Sequence, residues 1–162
     1  DYWASVVRIN EWQTDRFFQN ILHEQFNTLA GKTVTLLGFA FKQDTGDTRD
    51  SPAIPLCEKL LGEHANVRVH DPKALENARN DLQEMQGDVR FVEDVYEAAE
   101  GAHAIALVTQ WREYRELDFE IIFKTMVKPA FIFDGRNHLD HQKLFEIGFN
   151  VFPLGKPPLK HV

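Results

Sequence analysis

From Gly31 onward, short apolar runs rich in β-branched residues alternate with stretches whose apolar positions recur at helical spacing, and this alternation restricts the chain more than any other feature. Runs over residues 32–38, 67–70, 89–92, 103–109, 130–134 and 149–154 read as strands. Helical segments fall between them: one opened by Ser51 and Pro52, one within 72–85, a short one near 95–99, one opened by Asp118 and one over 140–147. Strand, helix and strand in succession bury both faces of a parallel sheet. The pattern therefore predicts an α/β fold, doubly wound around a mostly parallel sheet, with helices on both faces.

Ahead of this region, residues 1–30 contain no Gly or Pro, and Trp3, Val6, Val7, Trp12, Phe17, Ile21, Leu22, Phe26 and Leu29 recur near helical spacing. One long helix is expected, with an apolar stripe wider than a solvent-facing helix requires. The stripe calls for a partner: the following domain, an upstream domain absent from the chain, or another subunit. The first residue is Asp rather than Met, which suggests a piece of a longer protein. At the other end, the stretch from Lys156 to Pro158 reads as an unstructured exit.

With 162 residues and 43% hydrophobic composition, including 13 Phe, the chain can bury a sizeable core. Its formal net charge of -7 argues against general affinity for nucleic acid or an anionic membrane, both of which need a basic surface. The single cysteine cannot form an internal disulfide, and no apolar stretch approaches the length of a membrane span. A cytoplasmic setting is the simplest expectation.

Against that acidic background, the basic residues of residues 38–52, GFAFKQDTGDTRDSP, stand out. A strand runs into this loop and a helix leaves it, so it lies at the carboxyl edge of the sheet, where ligands of open α/β folds bind. Ser51 can cap the new helix and Pro52 suits its first turn. A dinucleotide fingerprint would need three glycines, whereas Gly38 is followed by Ala40 and Gln43 at the second and third places. This is not an ordinary NAD loop. Lys42 and Arg49 either grip an anionic group by charge-assisted hydrogen bonds or pair in solvent with Asp44, Asp47 and Asp50.

If the strands follow the order 3-2-1-4-5-6, the first and fifth flank the fourth with their ends about 10 Å apart, and Lys42 and Arg136 overlook one crevice. Thr109, Gln110 and Trp111 would form its floor or wall, although a Trp at a strand end more often serves as a buried anchor. Asp71 stands where a second Rossmann strand ends in a ribose-binding acid, but a turn built on Asp71 and Pro72 is the blander explanation. His138 and His141, with Asp134 and Asp140, lack the spacing of a zinc motif, and Asp140 reads as a helix cap. Cys57 falls on an apolar helix face beside Leu56 and Leu60, where a thiol behaves as a small hydrophobe.

The 38–52 stretch, together with Phe131-Ile132-Phe133-Asp134-Gly135-Arg136, closely resembles the C-terminal nucleotide-sugar-binding domain of UDP-glucose 6-dehydrogenases, over essentially the whole chain. The resemblance implies a Rossmann-like domain over residues 31–162, preceded over 1–30 by the end of a connector helix that contributes to dimerisation. It also implies that Phe41, Lys42 and Arg136 bind the nucleotide sugar, while Arg49 reaches an NAD held mainly by another domain. Such enzymes oxidise UDP-glucose twice to UDP-glucuronate with NAD, through a thioester on a cysteine in a Gly-rich motif upstream of the connector. That motif is absent here, so no catalytic residue is expected in this chain, and the piece alone should be inactive. The expected assembly is a homodimer or higher homo-oligomer. Two other readings are a dehydrogenase of another nucleotide sugar, with GDP-mannose or a UDP-N-acetylhexosamine as substrate, and a non-catalytic nucleotide-binding or oligomerisation module.

Overall fold

The computed structural model describes the backbone of residues 2–162 and the side chains of residues 13–162. Helix α1 (Tyr2–Glu24) leads into β1 (Thr33–Leu37), α2 (Ala53–Gly62), β2 (Asn66–His70), α3 (Leu75–Leu82), β3 (Val89–Phe91), α4 (Val95–Ala99), β4 (Ala104–Leu107), a 3-10 helix (Arg112–Glu116), α5 (Phe119–Thr125), β5 (Phe131–Asp134), α6 (His141–Ile147) and β6 (Asn150–Pro153). The six strands form one sheet in the order β3-β2-β1-β4-β5-β6, and every neighbouring pair is parallel. The expected doubly wound order is present. Its switch point lies between β1 and β4, where the connection reverses direction across the sheet.

The pleat sorts the strand residues into two cores. Val34 and Leu36, with Val67, Val69, Ala104, Ala106, Phe131, Phe133 and Phe152, pack under α1, α2 and α3. Leu37, Ile105, Leu107, Ile132 and Val151 point the other way, under α4, α5 and α6. Both faces are covered, which is why the central strands β1, β4 and β5 are buried throughout rather than alternately. The fully buried Thr35 of β1, on the face toward α4, is accounted for: its hydroxyl donates to the Ala98 carbonyl at 2.7 Å.

Phenylalanine fills the space beneath α1. The rings of Phe131, Phe133 and Phe152 stack with centroids 4.8–6.4 Å apart, an arrangement worth roughly 0.5–1.5 kcal/mol per pair beyond area burial. Phe18 and Ile21 of α1 close this core, and Asp15 pairs with Lys59 of α2 at 3.3 Å. The second half of the apolar stripe thus packs on the following domain. Trp3, Val6, Val7 and Trp12 lie outside the described side chains.

The expected helix over 1–30 stops at Glu24. Phe26 and Asn27 adopt left-handed backbone, with φ of 64° and 60°, and the Asn27 N–H reaches back to the Leu22 carbonyl at 3.0 Å. Asn tolerates this conformation readily; at Phe26, a residue that favours it less, the ring lies edge-on to Phe131. Residues 156–158 carry no helix or strand, but the chain is tied back immediately after them: Leu159 and Val151 exchange backbone hydrogen bonds of 2.8 and 2.9 Å in an antiparallel bridge. His161 then stacks on Phe145 at 4.1 Å and donates its backbone N–H to Asn150 Oδ1 at 2.7 Å.

Candidate functional site at the carboxyl edge of the sheet

The loops that follow β1, β4 and β5 meet above the switch point, and one buried carboxylate holds two of them. Asp71, at the end of β2 and 3% exposed, accepts five hydrogen bonds. The backbone N–H groups of Phe39 and Ala40 donate to Oδ2 at 2.8 and 2.9 Å, and those of Lys73 and Ala74 donate to Oδ1 at 2.9 Å each. The indole N–H of Trp111 supplies the fifth, to Oδ2 at 3.1 Å. Both oxygens of Asp71 are occupied within the protein, so it anchors the turn and has no free acceptor face for a ribose.

Gly38 makes this convergence possible. Its φ is +97°, and a Cβ there would lie 2.4 Å from Thr109 Cβ and 2.7 Å from the Thr109 nitrogen. The loop crosses the end of β4 at a distance only glycine permits, and the Thr109 hydroxyl donates to the Ala40 carbonyl at 2.7 Å. Ser51 closes the loop by donating to the Phe39 carbonyl at 2.6 Å and accepting from the Ala53 N–H at 3.1 Å. It thereby performs the expected capping role, with Pro52 preceding the first helical residue.

A second buried carboxylate organises the loop after β5. Asp134, fully buried, accepts the backbone N–H of Arg136 on Oδ1 at 3.1 Å, and those of His138 and Leu139 on Oδ2 at 2.8 and 2.9 Å. The His141 Nε2 lies 2.8 Å from Oδ2. His138 Nε2 lies 2.7 Å from the Trp111 carbonyl oxygen, which ties the loop after β5 to the loop after β4. These histidines serve the loop scaffold. Among the described residues, no three metal-ligating side chains cluster.

Between the loops lies a cavity of about 460 Å³, lined by Gln43, Gln110, Arg136, Asn137, His138 and Leu139 together with Arg112 and Arg115. Arg136 lies in the crevice where the strand order places it, its Nε donating to the Val108 carbonyl at 2.9 Å. Phe41 and Lys42 immediately precede Gln43 and are exposed, Phe41 by 45%, so they stand next to the cavity without lining it. Of the three residues expected at the floor, Gln110 lines the cavity; Thr109 and Trp111 are buried and spent on the Ala40 and Asp71 contacts.

Arg49 is apart from this group. Its guanidinium, 87% exposed, pairs with Asp47 at 2.9 Å, and Thr48 docks the segment on α3 by donating to Asp81 Oδ2 at 2.5 Å. The Arg49 side-chain and backbone hydrogen bonds, with the nearby charge of Lys42, hold the Asp47 carboxyl at about 2, below the ordinary value of 3.8. Cys57 is fully buried, and burial pushes its thiol well up, so it is unavailable as a nucleophile.

The arginines of the 3-10 helix are what the sequence reading missed. A run of five residues, REYRE, carries no apolar period, and only Tyr114 within it hints at docking.

Residues 35–141 match the family model described as the UDP binding domain of the UDP-glucose/GDP-mannose dehydrogenase family. The chain belongs to this family. UDP-glucose 6-dehydrogenase 4 of Oryza sativa subsp. japonica is 43% identical over 175 residues, covering 97% of this chain and 36% of the relative. UDP-glucose 6-dehydrogenase 1 of Arabidopsis thaliana is 44% identical over 176 residues, covering 97% and 37% respectively. The chain therefore spans little more than a third of the length of these curated relatives. A UDP-glucose dehydrogenase from the hyperthermophilic archaeon Pyrobaculum islandicum superposes with a TM-score of 0.70 at 30% identity, over 90% of this chain and 32% of that one. The fold, the position of the 38–52 loop and the FDGR segment thus sit within a UDP-glucose/GDP-mannose dehydrogenase family domain.

Proposed function

We propose that this chain is the nucleotide-sugar-binding part of an NAD-dependent UDP-glucose 6-dehydrogenase, which converts UDP-glucose to UDP-glucuronate in two successive oxidations. The observation that carries the reading is the cavity at the switch point, walled by Arg136 and by the loop that holds Phe41 and Lys42, in a domain of this family. Lys42 and Arg136 offset the charge of the substrate phosphates, and Phe41 offers an exposed ring to its apolar parts. Residues 31–162 form the binding domain, and residues 1–30 the end of the connector through which the enzyme pairs with a second copy.

NAD fits this chain at one point only. The 38–52 loop lacks the glycines of a pyrophosphate cradle and Asp71 has no free oxygen, whereas the Arg49 guanidinium is open to solvent beyond its pair with Asp47. Arg49 would hold a cofactor phosphate presented by another domain, and NAD would supply the hydride acceptor. The catalytic nucleophile lies outside this chain, since its one cysteine is sealed in the core. No helix among the described residues is long and apolar enough to cross a membrane, and the reading places the enzyme in the cytoplasm.

The deciding experiment is an assay of the full-length protein against a panel of nucleotide sugars with NAD and NADP. UDP-glucose with NAD should be turned over fastest, with two equivalents of NADH per UDP-glucuronate. Preference for GDP-mannose or a UDP-N-acetylhexosamine would move the protein to another branch of the family, and binding without turnover would leave a binding module.

A further inference from the structure

The loop that carries Arg136 is held from two opposite sides by the two residues that follow. Asn137, in left-handed backbone with φ of 51°, clasps Leu154 beyond β6: its Oδ1 accepts the Leu154 N–H at 2.8 Å and its Nδ2 donates to the Leu154 carbonyl at 2.8 Å. His138 reaches the other way, to the loop after β4, with its Nε2 2.7 Å from the Trp111 carbonyl oxygen. Because β4 and β6 flank β5, the loop is fastened across the sheet edge at both ends.

The two ties are not equivalent. A carbonyl oxygen only accepts, so the hydrogen of the His138 bond sits on Nε2 and the imidazole donates. Its acceptor residue is itself fixed: the Trp111 indole N–H is bound by Asp71 Oδ2, which also takes the N–H groups of Phe39 and Ala40, immediately before Phe41 and Lys42. A continuous run of hydrogen bonds thus leads from His138 through Trp111 and Asp71 to the loop after β1. The Asn137 tie leads away from that loop, to the far margin of the sheet. His138 is half-buried in the cavity wall, two residues from an exposed Arg136.

We propose that His138 is a positioning residue for nucleotide-sugar binding: by donating to Trp111 it sets the span between Arg136 and Lys42 before the ligand arrives. The proposal rests on the nucleotide-sugar reading above and adds to it a residue that acts without touching the ligand. Two cations on separate loops grip one anion tightly only when their separation is already right, since otherwise binding must order the loops first. Without the His138 bond, the loop after β5 keeps its scaffold on Asp134 and its tie to Leu154, but loses its register against the loop after β1. The loss falls on a ligand that spans both loops. A ligand held at Arg49 is not affected.

Calorimetric titration of the full-length protein with UDP-glucose and with NAD tests this role. Gln places an amide N–H₂ at about the reach of the histidine Nε2, and Asn carries the same group one methylene short. H138N should therefore raise the UDP-glucose dissociation constant about fivefold and H138Q by less than about twofold, with NAD binding unchanged in both. Combined with Arg136→Ala, H138N should weaken UDP-glucose no further, because the histidine acts through the arginine. Equal UDP-glucose affinities in H138Q and H138N would overturn the proposal, as would a parallel loss of NAD binding or multiplied losses in the double variant. If Arg136→Ala alone bound UDP-glucose normally, the nucleotide-sugar reading of the cavity would fall, and the proposal with it.

Discussion

The carboxylate of Asp71 and the indole of Trp111, 40 residues apart in the chain, meet at 3.1 Å in the core beneath the candidate site. This contact joins the loop after β1 to the loop after β4, because the same carboxylate holds the Phe39 and Ala40 N–H groups.

Asp71→Asn keeps the shape but puts an amide N–H₂ where an oxygen accepted. At least one buried N–H donor would then face another donor, and the charge that strengthens the other bonds would be gone. A loss of about 2–4 kcal/mol is expected in urea unfolding, against about 1 kcal/mol for Trp111→Phe, which removes a single bond. Equal effects of the two changes would show that the backbone donors find other partners.

At Gly38, an alanine meets both a left-handed backbone and the Thr109 Cβ and nitrogen at under 3 Å. Gly38→Ala should cost about 3 kcal/mol or more. Adding Thr109→Ala should not restore stability, because the backbone nitrogen remains in the way. Full rescue by the second change would locate the clash in the side chain alone.

Burial pushes the His70 pKa below its ordinary 6.5, against the opposing charge of Asp71. The unfolded chain therefore takes up a proton before the folded one does as pH falls, so stability present above about 6.5 is lost on acidification through the folded value. Urea midpoints measured between about pH 7.5 and 5 should fall with decreasing pH, and His70→Gln should flatten that slope. Asp47 acts in a separate window: with its carboxyl held at about 2, its contribution is lost only as pH falls from about 3.8.

For ligand binding, Lys42→Ala or Arg136→Ala in the full-length enzyme should weaken UDP-glucose by about 1.5–3 kcal/mol and leave NAD largely unaffected. Arg49→Ala should do the reverse. Direct binding measurements with each ligand separate the two, and a purely substrate defect in the Arg49 variant would reassign it to the sugar site.

Cys57 should resist alkylation in the native protein and react only as the domain unfolds, because it is buried and its thiolate is disfavoured. Labelling by a maleimide at neutral pH should therefore follow the denaturation curve.

The strands and most helices were legible because their signals are local. Ser51, Asp118 and Asp140 announce helix starts and each side chain accepts from the first-turn backbone. Arg136 could be placed because parallel strand order alone sets which loops meet. The pair Arg112 and Arg115 could not, since the 3-10 helix is held by Trp111 and Tyr114 through contacts 40 and 44 residues distant. The role of Asp71 was only half visible: its turn with Pro72 is local, but three of its five donors come from other segments. Residues 159–161 gave no signal either, since a bridge to Val151 depends on a strand that the tail itself does not encode.

That bridge has a further effect. β6 is an outer strand, with β5 on one side only, and its open row of peptide groups would be a template for strands of other molecules. Leu159 pairs in the opposite direction to the rest of the sheet and occupies both groups of Val151, so the row is interrupted at its middle. The opposite margin, β3, is three residues long and carries Arg90 exposed on it. Both margins of this sheet are thus poor seeds for intermolecular β-pairing, and a chain trimmed back to Pro153 would regain one good seed and become prone to aggregate.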